Sequence, residues 1–244
     1  MWSAPVDLSQ RYFSYVKQCL TDEEMFNKFK TTDDYNAVVG MSLPWQAPYF
    51  LNRIKTFPEI YSKMEEFKKN DTIGTPPMID IEGMNISPNT LRHIQTLCDL
   101  TQHFGDLTDK TICELGVGYG GTAFTVGTYY KPKAYHLVDL PDVQHFALKY
   151  LNRLGITCGT INPPPAEFDL FISEWCFSEF DDEDIYKFYD KYVKNANNIY
   201  IASNLWDVER KQRLLNHMNA DFNLEIIPEY PKAHWDNYII VGKK

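Results

Sequence analysis

From residue 111 to the end of the chain, short apolar runs alternate with amphipathic stretches of helical period, and this alternation constrains the fold more than any other feature. The runs fall at 111–115, 134–139, 156–161, 168–173, 198–202, 224–228 and 238–241, and the helical stretches at 121–130, 142–154, 182–194 and 207–218. A strand that returns after a helix lies parallel to its predecessor, with helices covering both faces of the sheet. The last two runs have no helix between them, so 229–237 should join them as an antiparallel hairpin at the end of the sheet. The expected fold is therefore α/β: a Rossmann-like seven-stranded sheet with a terminal antiparallel hairpin, preceded by a helical N-terminal cap.

Residues 7–69 carry apolar positions at mixed three and four spacing, the pattern of amphipathic helices. Between 70 and 89 the character changes, because Gly74, Pro76, Pro77, Gly83 and Pro88 punctuate short apolar stretches and predict a loop or small hairpin. Ser87-Pro88-Asn89 then reads as a helix start, with Leu91, Ile94, Leu97, Cys98 and Leu100 on one stripe. A length of 244 residues suits one α/β core with an appendage. The division predicted is a cap and lid segment over 1–85 and a catalytic domain over 86–244.

Composition narrows the partners. A net charge of −9 without clustered Lys or Arg argues against a nucleic-acid backbone as ligand. The cysteines Cys19, Cys98, Cys113, Cys158 and Cys176 form no C-x-x-C pair, which points to a reducing, cytoplasmic setting without zinc. No charged and then apolar leader opens the sequence, and no run approaches the roughly 18 apolar residues of a spanning helix. The chain reads as soluble, with no membrane partner, and a homo-oligomer is left open.

The chemistry begins at the end of the first run of the alternating region, in Glu114-Leu115-Gly116-Val117-Gly118-Tyr119-Gly120-Gly121. Glycines here let the chain turn tightly out of a strand and let a ligand approach where a Cβ would collide. Their spacing also satisfies the G-x-G-x-x-G pattern, so the glycines alone fit a nicotinamide cofactor as well as S-adenosylmethionine. Asp139, followed by Leu140 and Pro141, ends the next run about twenty residues later, where a carboxylate can accept hydrogen bonds from ribose hydroxyls. Glu114 at the start of the loop and the helix-free terminal hairpin tilt the choice to S-adenosylmethionine. About a hundred residues follow Asp139 and complete the same sheet, leaving no room for a dehydrogenase-type substrate domain.

Further on, 168–180 reads Phe-Asp-Leu-Phe-Ile-Ser-Glu-Trp-Cys-Phe-Ser-Glu-Phe, whose end opens on the crevice where parallel sheets bind ligands. Ser173 is placed there against the cofactor. The acidic run Asp181-Asp182-Glu183-Asp184 reads as a helix start, and no metal is expected.

Taken in order, Asn70-Asp71 with Gly74 and Pro76, Ile86-Ser87-Pro88, Thr90-Leu91-Arg92, the glycine loop, Asp169-Leu170, Ile172-Ser173 and Ser178-Glu179 resemble the sugar O-methyltransferase family over about residues 60–242. Thr122 stands where that family often has Gln, and Glu174 where it often has Asn. The resemblance implies methyl transfer from S-adenosylmethionine to a hydroxyl of a sugar, either a nucleotide sugar or a glycan. Another small-molecule hydroxyl as acceptor, a non-catalytic S-adenosylmethionine-binding protein and a NAD-linked oxidoreductase are the rival readings.

Methyl transfer to a hydroxyl needs a base in the crevice. Glu179, which matches the family's Ser-Glu motif, comes first, with Glu174 and His234 as alternatives. Arg92 is expected to pair with the carboxylate of the methionine moiety. The remaining histidines, His93, His103, His136, His145 and His217, have no ligand spacing and read as structural. Trp175, Trp206 and Trp235 fall after strands or in the terminal hairpin and are expected to form an aromatic wall for the sugar.

Overall fold

The computed structural model of the protein describes residues 6–39, 42–232, 234 and 236–244. Nine strands are formed within them: β1 Ile79–Ile81, β2 Met84–Ile86, β3 Thr111–Leu115, β4 Ala134–Val138, β5 Gly159–Thr160, β6 Phe168–Glu174, β7 Ala196–Ser203, β8 Asn223–Pro228 and β9 Tyr238–Lys243. The last seven make one sheet in the order β5-β4-β3-β6-β7-β9-β8. Strands β3 to β7 run parallel, and β9 is antiparallel to both β7 and β8. The expected terminal hairpin is therefore present, with its second strand inserted beside β7.

Helices cover both faces. In the N-terminal region they are α1 Val6–Thr21, α2 Glu23–Asn27, α3 Asp33–Val39, α4 Ala47–Lys55, α5 Pro58–Tyr61 and α6 Met64–Phe67. Those of the alternating region are α7 Pro88–Phe104, α8 Gly121–Tyr129, α9 Pro141–Arg153, α10 Cys176–Glu179, α11 Asp182–Lys191 and α12 Val208–Met218. Among the described residues, no helix is long and apolar enough to cross a membrane.

Strand β7 shows how the sheet is buried on both sides: Ile199 and Ile201 join one apolar cluster with α11 and α12, whereas Tyr200 and Ala202 join the other with α4, α7 and α8. Such strands read as nearly continuous apolar runs, which is why they stand out in the sequence. Edge strand β5 is the exception, reduced from the expected 156–161 to a two-residue pairing with Tyr135 and His136. Gly159 weakens it, and Pro163-Pro164-Pro165 supply no N–H donors to extend it.

Local signals fix the entry to α7. Ser87 caps it by accepting from the Asn89 N–H, and Pro88 occupies the first turn, where a missing N–H costs nothing. The β1–β2 hairpin before it turns on Glu82 and Gly83, both at positive φ, with Ile81 paired to Met84.

The N-terminal helices dock through aromatic rings. Phe146 of α9 meets Phe26 edge-on at 5.6 Å and Phe29 at 4.9 Å, all fully buried. Truncating such a ring costs about 3–5 kcal/mol. Beneath them lies Lys30, a buried amine that donates to the Asn70 carbonyl and, at 2.9 Å, to the Tyr150 hydroxyl, with the Tyr119 ring 4.5 Å away. Burial lowers its pKa to about 7.

Candidate functional site

A cavity of about 740 Å³ opens at the carboxyl ends of β3, β4, β6 and β7, where open parallel sheets bind ligands. The sheet's order reverses at β3, which has β4 on one side and β6 on the other. Tyr12 and Phe13 of α1 and Val38 and Val39 of α3 roof one end of the cavity.

The glycine loop is shaped by what passes against it. Gly116, at φ 81°, lies against the chain leaving β6: a Cβ there would stand 2.2 Å from the Cys176 Cβ. At Gly121 a Cβ would stand 2.3 Å from Nε2 of His93. Gly116, Gly118, Tyr119 and Gly121 line the cavity, whereas Gly120 packs towards Leu151 of α9.

Asp139 follows β4 directly. One of its oxygens accepts from the Leu140 N–H at 2.8 Å and the other from the Gly118 N–H at 3.3 Å, tying the end of β4 to the loop after β3. The carboxylate opens on the cavity but lies deep within it. Desolvation pushes its pKa up to about 6, against the pull of those backbone donors. Leu140 is beside it on the cavity wall.

Two further carboxylates meet at the ends of β3 and β6. Glu114 is buried and accepts from the Tyr135 hydroxyl at 2.7 Å; burial first, and the nearby Glu174 second, hold its pKa well above the usual carboxylate range. Glu174 accepts from the Thr122 hydroxyl and, at 3.3 Å, from that of Thr96. Because Thr122 gives its proton to Glu174, its oxygen is left to accept from Nδ1 of His93 at 3.0 Å, which assigns the His93 tautomer. Burial keeps that imidazole neutral. His93 thus supports the site through Thr122, a role its sequence spacing did not reveal.

Trp175 links β6 to α10 in the left-handed region, at φ 64°, an uncommon conformation for a bulky residue. Backbone held this way costs about 1–3 kcal/mol and gathers at functional sites. Its ring lies 4.9 Å from the Arg92 guanidinium carbon. Among the described residues, Arg92 makes no ion pair, and its buried Nε finds no hydrogen-bond partner. Glu179, at the end of α10, accepts from Nδ2 of Asn204 at 3.4 Å, and desolvation raises its pKa.

The other expected site residues lie elsewhere. Ser173 is fully buried and spent inside the scaffold, donating to the Leu115 carbonyl at 3.0 Å and accepting from the Phe177 N–H at 3.1 Å. His234 stacks on Trp206 at 4.1 Å, and neither is part of the cavity wall. The Trp206 indole N–H donates instead to Asn237 at 3.0 Å. Trp235 lies outside the described residues. Of the three-Trp wall, the described structure brings only Trp175 to the cavity.

Glu229 and Gln95, not singled out from the sequence, do line it. Glu229 directly follows β8, so its place at the same sheet edge was the available signal. For Gln95 it was the one-turn spacing from Arg92 on α7.

No family model matches the sequence, and no curated protein does. Solved structures resemble it in three dimensions. The methyltransferase domain of bacterial CtHen1-CN is similar with a TM-score of 0.50 at 10% identity, over 64% of this chain and 99% of that one. A SAM-dependent methyltransferase from Aquifex aeolicus is similar with a TM-score of 0.46 at 15% identity, over 59% and 87% of the two chains. A methyltransferase from Pyrococcus furiosus has a TM-score of 0.47 at 13% identity, over 75% and 98%. The fold is that of class I methyltransferases. In that fold the cavity occupies the cleft above the glycine loop, and its donor set suits S-adenosylmethionine: an acid after β4, an unpaired guanidinium, and two carboxylates, Glu114 and Glu174, whose repulsion a cation relieves.

Proposed function

We propose that this protein is an S-adenosylmethionine-dependent methyltransferase acting on a hydroxyl of a sugar. The observation that carries the cofactor reading is Asp139, a carboxylate set into the cavity after β4 and hydrogen-bonded to the Gly118 amide of the glycine loop. In this reading Asp139 accepts from the ribose hydroxyls, with Leu140 beside it, and Arg92 pairs with the carboxylate of the methionine moiety. Glu114 and Glu174 hold its ammonium, and the Gly116–Gly121 backbone cradles the chain between them. Bound S-adenosylmethionine supplies an electrophilic methyl group.

The remaining work falls to the protein. Glu179 takes the proton of the acceptor hydroxyl, a role suited to a carboxylate whose pKa burial raises, and Asn204 orients it. Trp175 offers an apolar face to the acceptor ring, and Tyr230, also on the wall, offers a second. Roofing by α1 and α3 keeps water from the transfer.

Calorimetric titration with S-adenosylmethionine, S-adenosylhomocysteine and NAD tests the cofactor reading. Micromolar binding of the first two without NAD is expected. Binding of NAD alone, or of none, refutes it. Release of S-adenosylhomocysteine with a sugar acceptor then separates an enzyme from a silent binder.

A further inference from the structure

Beyond the cofactor half, the cavity continues across the sheet. From β4, where Asp139 lies, to β9 is four strand steps, roughly 19 Å at ~4.8 Å per step. Glu229, between β8 and β9, therefore stands at the far end of the cavity from the proposed ribose site, beyond the β3 and β6 ends assigned to the methionine moiety.

A string of hydrogen bonds holds it there. The Trp206 indole N–H donates to Oδ1 of the buried Asn237 at 3.0 Å. Asn237 donates through Nδ2 to Glu229 Oε2 at 2.9 Å. An indole N–H can only donate, so Trp206 fixes which way the Asn237 amide faces and thereby presents its NH₂ to Glu229. Gln95 makes a similar arrangement from below. Its Nε2 donates to the Tyr230 carbonyl at 2.6 Å, and its buried Oε1 has no partner. Asn204 spends its NH₂ on Glu179. The Asn204 oxygen accepts from the Ser178 hydroxyl at 2.6 Å, and the charged groups that Asn237 and Asn204 hold on the cavity wall, Glu229 and Glu179, are both carboxylates. Arg92, across at Trp175, is the one permanent cation on the wall among the described residues.

We infer that Glu229 is an acceptor-binding carboxylate, oriented by Trp206 through Asn237, and that the acceptor is an unphosphorylated molecule rich in hydrogen-bond donors, a neutral or amine-bearing polyol. A phosphate or pyrophosphate at this end would meet the Glu229 carboxylate, while Arg92, the one permanent cation on the wall among the described residues, is assigned to the methionine carboxylate. The inference rests on the proposed function, and it narrows the sugar acceptor by excluding nucleotide sugars.

The test uses the full chain saturated with S-adenosylhomocysteine. Binding of methyl glycopyranosides, 2-amino-2-deoxyhexoses, hexose 6-phosphates and UDP-hexoses is measured by saturation-transfer NMR and calorimetry. Binding of at least one unphosphorylated probe is expected, with its phosphorylated counterpart at least tenfold weaker. Glu229→Gln, nearly isosteric, should weaken that probe about 10- to 100-fold, the effect of losing a hydrogen bond to a charged group, with S-adenosylhomocysteine affinity unchanged. Trp206→Phe keeps an aromatic ring for His234 but removes the indole N–H; it should weaken the same probe several-fold while sparing the cofactor.

Tighter binding of phosphorylated probes, wild-type acceptor affinity in Glu229→Gln, or no binding of any unphosphorylated probe overturns the inference. Failure of the wild-type chain to bind S-adenosylhomocysteine overturns the proposed function with it; intact cofactor binding without dependence on Glu229 overturns the inference alone.

Discussion

Replacing Asp139 by Asn should make the cofactor-free protein more stable and the cofactor weaker. The carboxyl titrates at about 6 in the folded chain against 3.8 for an ordinary Asp. That difference corresponds to about 3 kcal/mol held against the folded state whenever the group is charged. Between the two pKa values the folded state binds a proton that the unfolded state has released. The stabilisation this gives is full below pH 3.8 and is lost as pH rises through about 6. Asn carries no charge at any pH. It keeps an oxygen for the Leu140 N–H but turns an NH₂ towards the Gly118 N–H, losing about 1 kcal/mol. The net gain at pH 8 is about 1–2 kcal/mol, a rise of roughly 2–8 °C in Tm, and it should vanish or reverse near pH 4.5. Over the same change, S-adenosylhomocysteine affinity should fall about 10- to 100-fold, because a neutral amide accepts ribose hydroxyls more weakly. Thermal melts at both pH values, with and without S-adenosylhomocysteine, measure all of this. A variant equally destabilised at pH 4.5 and pH 8, or one that binds the cofactor as the wild type does, refutes the reasoning.

Glu179→Gln should lower kcat by about 10²- to 10⁴-fold and leave S-adenosylhomocysteine affinity unchanged. In the wild type, kcat/KM should rise with pH through a value above the ordinary carboxylate range, since burial raises the Glu179 pKa; the variant should lack that limb. Arg92→Ala should weaken S-adenosylhomocysteine at least tenfold in calorimetry but spare 5′-methylthioadenosine, which has no amino-acid end, and an equal loss for both would remove Arg92 from the methionine site. Gly116→Ala, at positive φ and against Cys176, should cost about 2–4 kcal/mol in urea unfolding, and a neutral result would mean that the turn after β6 yields easily.

Much of the sheet was legible because its parallel strands are buried on both faces and write themselves as apolar runs, as in β3 and β7. The glycine loop was legible for a different reason: its demands are local, set by turns out of a strand. Asp139 could be read because it follows its strand immediately. The acceptor half was harder, since its geometry depends on pairs far apart in the chain. Gln95 reaches the Tyr230 carbonyl across 135 residues. Trp206 illustrates the limit best: its position after a strand placed it correctly near the sheet edge, but its N–H found Asn237, and the ring went to His234 and not to the cavity. Ser173 was drawn inward by the Leu115 carbonyl in the same way.

The roof of the cavity belongs to the helices nearest the amino end, yet their partner is α9. Lys30 bonds Tyr150 across 120 residues, and Lys149 reaches the Cys19 carbonyl across 130. At roughly 5–20 residues per second of synthesis, α1 to α3 wait on the order of ten seconds before the surface they fit exists. Throughout that interval Phe26, Phe29 and Tyr35 have no α9 to cover them, and the site lacks its ceiling. Helices α1 to α3 thus gain their cover only once α9 has been made, and a nascent chain halted before α9 should be captured by chaperones more readily than one halted after it.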